Sequence, residues 1–403
     1  MESIKELFKI GLGPSSSHTM GPNLAAKAML QKYGPDKFYQ VTLYGSLALT
    51  GKGHLTDEAI IKVFQPERCK IIFDPSFMPF HPNAMRFEVF FKTRRIANEL
   101  VYSVGGGTLV YEGKNQSPKE EIYPHENFAQ IKEYIEDNGI SLYEYVLQFE
   151  DDGLKEYLKK VIETMFAAVE QGLKTSGTLP GKLKLERVAR SMHQHALNTR
   201  DGNDRKRLLI SAYSYATTEQ NASGNTIVTA PTCGASGVIP AILYYYHRNE
   251  NMAVDDLVPV LCVMGIVGNV IKRNATISGA DGGCQAEIGS ACAMAAAGVA
   301  WILELNNSLI EYAAEMGLEH NLGLTCDPVG GYVQIPCIER NGFATLRAVD
   351  SAMYAKQLGY LRKNRVSLDA VINVMKNTGK DLNAAYKETS LGGLAKELLV
   401  DED

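Results

Sequence analysis

Residues 154–173, LKEYLKKVIETMFAAVEQGL, decide the architecture of most of the chain. Leu154, Leu158, Val161, Ile162, Met165, Phe166, Val169 and Leu173 recur every three or four positions, so a helix here gathers them into one apolar stripe. TSGTLPGKLK (175–184) breaks that helix, and from Glu186 onward amphipathic and wholly apolar helical segments alternate with Gly-rich turns. The wholly apolar ones predict helices buried on all sides. Upstream the pattern changes. FYQVTLYGSLALTG, KIIFDP, MRFEVFF and IANELVYSV are short, β-branched or aromatic runs bounded by Gly, Pro or Asp, as strands are. One early helix is expected in NLAAKAMLQKYG, with Leu24, Ala25, Ala28 and Met29 on its apolar face and its stop at Gly34.

The polar stretch EGKNQSPKEEIYP (112–124) marks the boundary. The fold expected is therefore two-domain: an N-terminal α+β domain over 1–115, a linker and helical connection over 116–185, and a largely α-helical C-terminal domain over 186–403. No internal repeat is visible.

With 403 residues, 45% hydrophobic and 22% charged, the chain can bury a substantial core. A net charge of −5 and scattered Lys and Arg provide no basic field for nucleic acid, so any small anionic substrate needs local binding groups. Seven cysteines, an odd number without a regular framework, suggest a reducing compartment. MESIKELFKIGLG has acidic residues and no apolar core, unlike a signal peptide, and 257–271 and 291–305 read as too short and interrupted to span a bilayer. The expectation is a cytoplasmic protein without membrane contact.

Three cysteines stand apart from the rest. Cys284 in GADGGCQAEIG, Cys326 in LTCDPVGGY and Cys337 in VQIPCIERN are each flanked by Gly or Pro, which permit close backbone approach and fixed turns. Cys69, Cys262 and Cys292 read as core thiols, the latter two within apolar runs. The three have no CxxC spacing, so a zinc ribbon, thioredoxin or ferredoxin has no support. Read as ligands, three thiolates leave a metal one position short, as a Lewis-acid site requires.

Polar clusters accompany them. GPSSSHTMGP (13–22) runs into the first helix, where unpaired N–H groups with Ser16, Ser17, His18 and Thr19 could hold a carboxylate; the plainer reading is an N-cap, for which one serine suffices. In GKGHLTD (51–57), Asp57 could orient His54 as a base, or Thr56 or Asp57 could cap the next helix. FHPN (80–83) offers His81 and Asn83, a weak motif on its own. TAPTCGASGVIPAIL (229–243) suggests a tight turn at 234–237 into a helix, with Cys233 packed rather than nucleophilic.

These segments, in order and nearly end to end, resemble the motif series of the iron–sulfur L-serine dehydratases (L-serine ammonia-lyases) in their single-chain form: GPSSSHTMGP, YGSLALTGKGHLTD, FHPNAMRF, TAPTCGASGVIPA, GADGGCQAEIGSACAMAAAG, CDPVGGYVQIPCIERN and KETSLGGLA. The resemblance implies an allosteric-substrate-binding-domain-like N-terminal domain and a helical catalytic domain. It implies a [4Fe-4S] cluster on Cys284, Cys326 and Cys337, with one iron not ligated by cysteine, and a homodimer acting on a small amino acid. His54 is the candidate base, His18 and His81 further catalytic candidates, and Ser16, Ser17, Thr19, Thr56 and Asn83 substrate contacts. Serine degradation toward gluconeogenesis is the implied setting.

Two departures stand out. Many single-chain relatives end in a cysteine that occupies the open iron, whereas ETSLGGLAKELLVDED has none, leaving water, a carboxylate of the acidic terminus or substrate to fill it. The segment between GKGHLTD and FHPNAMRF also looks short. The rival readings are an L-cysteine desulfidase with a similar cluster and a non-catalytic zinc or ligand-sensing protein; for a pyridoxal phosphate lyase no Schiff-base lysine and phosphate cup are evident, and no pyridoxal phosphate is expected.

Overall fold

The structure is a computed structural model, and it describes residues 1–104, 106–113, 120–388 and 392–398. The expected boundary at residue 115, part of the KETSLGGLA motif and the acidic terminus 401–403 fall outside the described residues.

The first residues belong to the helical body. Met1, Ile4, Leu7 and Phe8 are buried in its core, and β1 (Ile10–Leu12) pairs antiparallel with β7 (Thr226–Val228). The chain then crosses to a separate sheet unit. A turn at Ser16–Met20 leads into α1 (Gly21–Tyr33), followed by β2 (Phe38–Gly45), α2 (Ser46–Thr50) and α3 (Thr56–Phe64). β3 (Cys69–Asp74), β4 (Asn83–Phe91), β5 (Arg94–Ser103) and β6 (Leu109–Tyr111) complete a mixed sheet ordered β3-β2-β4-β5-β6. β2 and β3 are parallel with α3 in the crossover between them; the other pairs are antiparallel.

Register explains the packing. Leu43 lies opposite Met85, Val41 opposite Phe87 and Tyr39 opposite Val89, and these same-face side chains bury against Ala25, Ala26 and Met29 of α1 and Ile60 and Phe64 of α3. The face of α1 is therefore rotated from the expected one: Ala25, Ala26 and Met29 are buried, whereas Leu24 is exposed. The β2 run is also shorter than the apolar stretch suggested. Gly45, at φ +55, turns the chain so closely past Pro82 that a Cβ would lie 2.5 Å from the Pro82 carbonyl, and Ser46–Thr50 becomes helical. This turn brings Ser46 beside the His81–Asn83 segment.

The remainder is helical: α4 (Phe128–Asn138), α5 (Leu142–Phe149), α6 (Leu154–Lys174), α7 (Ala189–Asn198), α8 (Gly202–Ala222), α9 (Val238–Asn249) and α10 (Val254–Asn274). Then come α11 (Gly279–Gly282), α12 (Ser290–Ile302), α13 (Asn307–Glu319), α14 (Cys337–Leu358), α15 (Leu368–Asp381) and α16 (Leu394–Glu397). α6 buries the expected stripe from Leu154 to Val169, with Leu173 half-buried. α12, SACAMAAAGVAWI, is buried from Ser290 to Ala300 among α9, α10, α13 and α14. Its small side chains permit that: at Gly317 of α13, a Cβ would stand 3.0 Å from the Cys292 carbonyl.

α10 corrects one sequence argument. At 21 residues it is long and apolar enough to cross a membrane, although 257–271 looked too short. Its place is the core, against α5, α6 and α12, with Ile4 and Leu7 packed on Gly265 and Gly268. Cys262 and Cys292 are core thiols, fully buried.

Where α6 crosses α8, a Cβ on Gly172 would lie 2.2 Å from the Ala216 carbonyl oxygen and 2.7 Å from its Cα, so the helices touch backbone to backbone. Gly172→Ala should therefore destabilise the protein by about 1–3 kcal/mol in urea unfolding, because two helices must part, whereas Lys160→Ala on the exposed side of α6 should stay within about 0.5 kcal/mol.

Candidate active site

The hydroxyl-rich loop forms a tight turn that serves more than a cap. The Ser15 hydroxyl accepts from the His18 N–H at 3.2 Å and so caps the Ser16–Met20 turn. The remaining hydroxyls are then available for other partners. The Thr19 hydroxyl donates to the His54 carbonyl at 2.6 Å, and the Thr56 hydroxyl donates to the His18 carbonyl at 2.6 Å. Two loops are thus laced by reciprocal bonds, each running from a threonine beside one histidine to the backbone of the other. The imidazoles of His18 and His54 stack with centroids 4.6 Å apart and an interplanar angle of 29°.

This lacing removes the helix-cap alternative for Thr56. The residue before α3 is Leu55, at φ 54, and Thr56 spends its proton on His18 rather than on the helix end. Thr19 is likewise committed, so both threonines hold the histidines and have no proton left for a substrate carboxylate. Ser16 and Ser17 are half-buried on the turn; the Ser17 hydroxyl lies 2.8 Å from His18 Nδ1, and His18 Nε2 lies 2.9 Å from the Ser46 hydroxyl.

Hydrogen bonding assigns the two other tautomers. His54 Nδ1 faces the Thr50 carbonyl at 3.1 Å, and a carbonyl only accepts, so Nδ1 carries the proton. Nε2 of His54 is then a bare lone pair, buried and without a hydrogen-bond partner. Asp57 does not orient this ring: its carboxylate accepts from the Glu58 N–H instead. At His81 the Asn83 N–H donates to Nδ1 at 3.1 Å, which puts the ring proton on Nε2. His54 is thereby arranged as an acceptor and His81 as a donor. Asn83 starts β4, buried, with Oδ1 lacking a partner.

Burial keeps the imidazoles neutral. The His18 pKa falls well below 6.5, through desolvation first and then the neighbouring His54 and His81. Desolvation also lowers His54, opposed by its bond to Thr50, and lowers His81, opposed by Asp281. The influence of Asp281 on His81 comes from the helical body, and Gly53 brings the His54 loop against the same body: a Cβ there would stand 3.4 Å from the Gly331 carbonyl. The histidines therefore face the cysteine loops across the domain junction.

Cys284 precedes a turn at Gln285–Gly289, Cys326 lies in the loop after α13 and Cys337 begins α14. Each acts electrostatically on another: Cys284 and Cys337 raise Cys326, and Cys284 raises Cys337. Burial is the main cause throughout, pushing Cys284 up to about 12. Arg340, three residues beyond Cys337, is the compensating charge; it bonds to Cys284, donates to the Thr325 carbonyl and lies 3.5 Å from Asp327. Gly279 leaves room for sulfur, because a Cβ there would reach within 3.2 Å of the Cys326 Sγ. Among the described residues no three His, Cys, Asp or Glu side chains converge as a single-ion site. A lone tetrahedral ion would draw its sulfurs to within about 4 Å of one another, whereas a multinuclear iron–sulfur group is wider. The buried thiols of Cys284 and Cys326 and the half-buried thiol of Cys337, around a guanidinium and a glycine cradle, fit such a group.

Sequence reasoning passed over the carboxyls of this pocket. Desolvation raises the pKa of half-buried Glu287, which accepts from the Thr232 hydroxyl at 2.7 Å and approaches the Cys326 Sγ at 3.9 Å. Glu388 is pushed up to about 8 by burial, then by Glu287 and Asp281, and its carboxyl accepts from the Ala280 N–H. Both lie inside motifs quoted for other residues, three positions after Cys284 and one after Lys387. Cys233 is a buried thiol beside Glu287, in the turn that Asn341 clamps through Gly237 N–H and the Gly234 carbonyl.

Comparison with known proteins matches residues 92–395 to the serine dehydratase alpha chain family and residues 3–70 and 62–114 to the serine dehydratase beta chain family. The chain is 39% identical to an L-serine dehydratase of Haemophilus influenzae over 99% of this chain and 100% of the relative. It is 38% identical to L-serine dehydratase 1 of Escherichia coli, with both chains covered in full, and 37% identical to an L-serine dehydratase of Helicobacter pylori, over 98% of this chain and 99% of the relative. The beta-chain match breaks at 62–70, between the GKGHLTD and FHPNAMRF motifs, at the short join of α3 to β3.

The neutral histidine stack sets a pH dependence. The unfolded chain binds a proton at His18 near pH 6.5 and the folded chain does not, so stability falls as pH drops below about 6.5. The urea midpoint should decline between pH 7.5 and 5.5, and His18→Gln should make that decline shallower. An identical slope in the variant would mean that His18 protonates in the fold without cost.

Proposed function

Because the chain belongs to the serine dehydratase family, with beta-type and alpha-type segments joined in one polypeptide, we propose that it converts L-serine to pyruvate and ammonia as a lyase. The observation that carries this reading is the bare, buried Nε2 of His54, held neutral at the junction with the three-cysteine pocket. Serine elimination needs its α-proton removed and its hydroxyl assisted as it leaves.

His54 Nε2 takes the α-proton. Its Nδ1–H bond to the Thr50 carbonyl fixes the ring, and the resulting imidazolium is stabilised through that carbonyl. Ser16, Ser17 and the amide of Asn83 hold the carboxylate and amino groups, while Thr19 and Thr56 position the two rings. His81, with its proton on Nε2, can donate to the departing oxygen. Cys284, Cys326 and Cys337 would hold a [4Fe-4S] cluster, whose iron without a cysteine supplies Lewis acidity toward the serine hydroxyl. The aminoacrylate left by elimination tautomerises and hydrolyses in water to pyruvate and ammonia.

In the same reading the sheet unit has the allosteric-substrate-binding-domain architecture, and the enzyme is a cytoplasmic homodimer that degrades serine toward gluconeogenesis, without nucleic acid or membrane partners.

The test is anaerobic purification followed by a visible spectrum and a pyruvate assay. A brown protein that bleaches in air and releases pyruvate from L-serine is expected; a colourless protein, or sulfide released from L-cysteine in preference to pyruvate from L-serine, would overturn the reading. His54→Ala should keep the cluster spectrum and lose about 10²- to 10⁴-fold in kcat. In the native enzyme kcat/KM should fall toward acid, below pH 6.5, as His54 is protonated.

A further inference from the structure

The cysteine pocket contains an oxygen donor of its own, brought there by the tail. After α15 the chain turns back and runs beside Cys326: the Cys326 N–H donates to the Tyr386 carbonyl at 2.8 Å, and the Glu388 N–H donates to the Cys326 carbonyl at 2.8 Å. Glu388 is thus fixed on both sides of a prospective ligand. It adopts φ +55, a left-handed conformation that costs a non-glycine residue energy and persists where surrounding structure imposes it. Its carboxyl acts electrostatically on Cys326, Cys337 and Cys233, and its one described hydrogen bond comes from the Ala280 N–H, in the loop that carries Cys284. The chain beyond is pinned too. The Leu394 N–H donates to Asp327 at 2.9 Å, and Asp327 pairs with Arg340, which touches Cys284. The other carboxyl of the pocket, Glu287, is already bonded to Thr232.

We propose that Glu388 is the resting oxygen ligand of the iron that Cys284, Cys326 and Cys337 leave open, and that it gives way to L-serine. The proposal rests on the cluster reading above. Iron accepts carboxylate as well as thiolate, and a harder, more weakly held oxygen donor leaves more readily than sulfur. The exchange changes no oxidation state: one iron–oxygen bond to Glu388 breaks as one to a substrate oxygen forms. The segment that carries Glu388 then shields the iron while keeping it accessible to substrate.

Anaerobic native protein, Glu388→Gln and Glu388→Asp are compared for iron and sulfide content, Mössbauer and EPR spectra, and bleaching rate in air. Native protein without iron and sulfide would defeat the cluster reading itself. With the cluster present, Glu388→Gln should shift the signal of one iron out of four and lose that iron in air several-fold faster, with Glu388→Asp between the two. Spectra and bleaching indistinguishable from native would overturn the assignment while leaving the function standing. Should Glu388→Gln fail to load iron, native protein labelled with carbon-13 glutamate decides: a carboxyl hyperfine coupling in the reduced cluster that vanishes with L-serine supports the ligand, and no coupling overturns it.

Discussion

Two hydrogen bonds from threonine hydroxyls hold the rest of the site in place. Thr19 reaches the backbone of His54 and Thr56 reaches the backbone of His18, both at 2.6 Å, so neither histidine loop can move without the other. Each buried bond is worth about 1 kcal/mol net, but losing one would strand a carbonyl away from water at a cost of about 1–3 kcal/mol. That asymmetry is what fixes the geometry. The imidazoles stack because their backbones are tied, and both stay neutral because the stack is buried.

The helical body solves the opposite electrostatic problem. Where the histidine loops exclude charge, the cysteine pocket gathers it: three thiols, the carboxyls of Glu287 and Glu388, and the Arg340 guanidinium. Burial alone would keep the thiols protonated and inert. A cationic group bound among them reverses that preference, because a metal-coordinating thiol is deprotonated outright. In the proposed reading, the acceptor would sit with the sheet unit and the Lewis acid with the helical body, and L-serine would bridge them.

Much of this was legible from residue patterns. The strands of FYQVTLYG and MRFEVFF were readable because alternate residues face one helix pair, and α6 because its apolar positions recur at helical spacing. Other features leave no local trace. β1 and β7 are three residues each and lie more than two hundred positions apart, too short for a period and too distant for a turn signal. α10 looked short because Pro259 and its glycines interrupt the sequence without ending the helix. Thr56 resembled a cap because caps and lacing hydroxyls are the same residue types; only the loop crossing separates them. Glu388 was invisible as a site residue since a lone carboxylate in a polar tail enters the pocket only through the pairing with Cys326.

The central claim is that His54 presents a bare, neutral Nε2 to the junction between the domains. Nitrogen-15 NMR of histidine-labelled, cluster-loaded protein reads the protonation of each ring nitrogen directly. The account predicts that at pH 7 the His54 ring is the neutral Nδ1–H tautomer, and that it resists protonation to below pH 6.5. A His54 signal from the Nε2–H tautomer, or from imidazolium at pH 7, would contradict it.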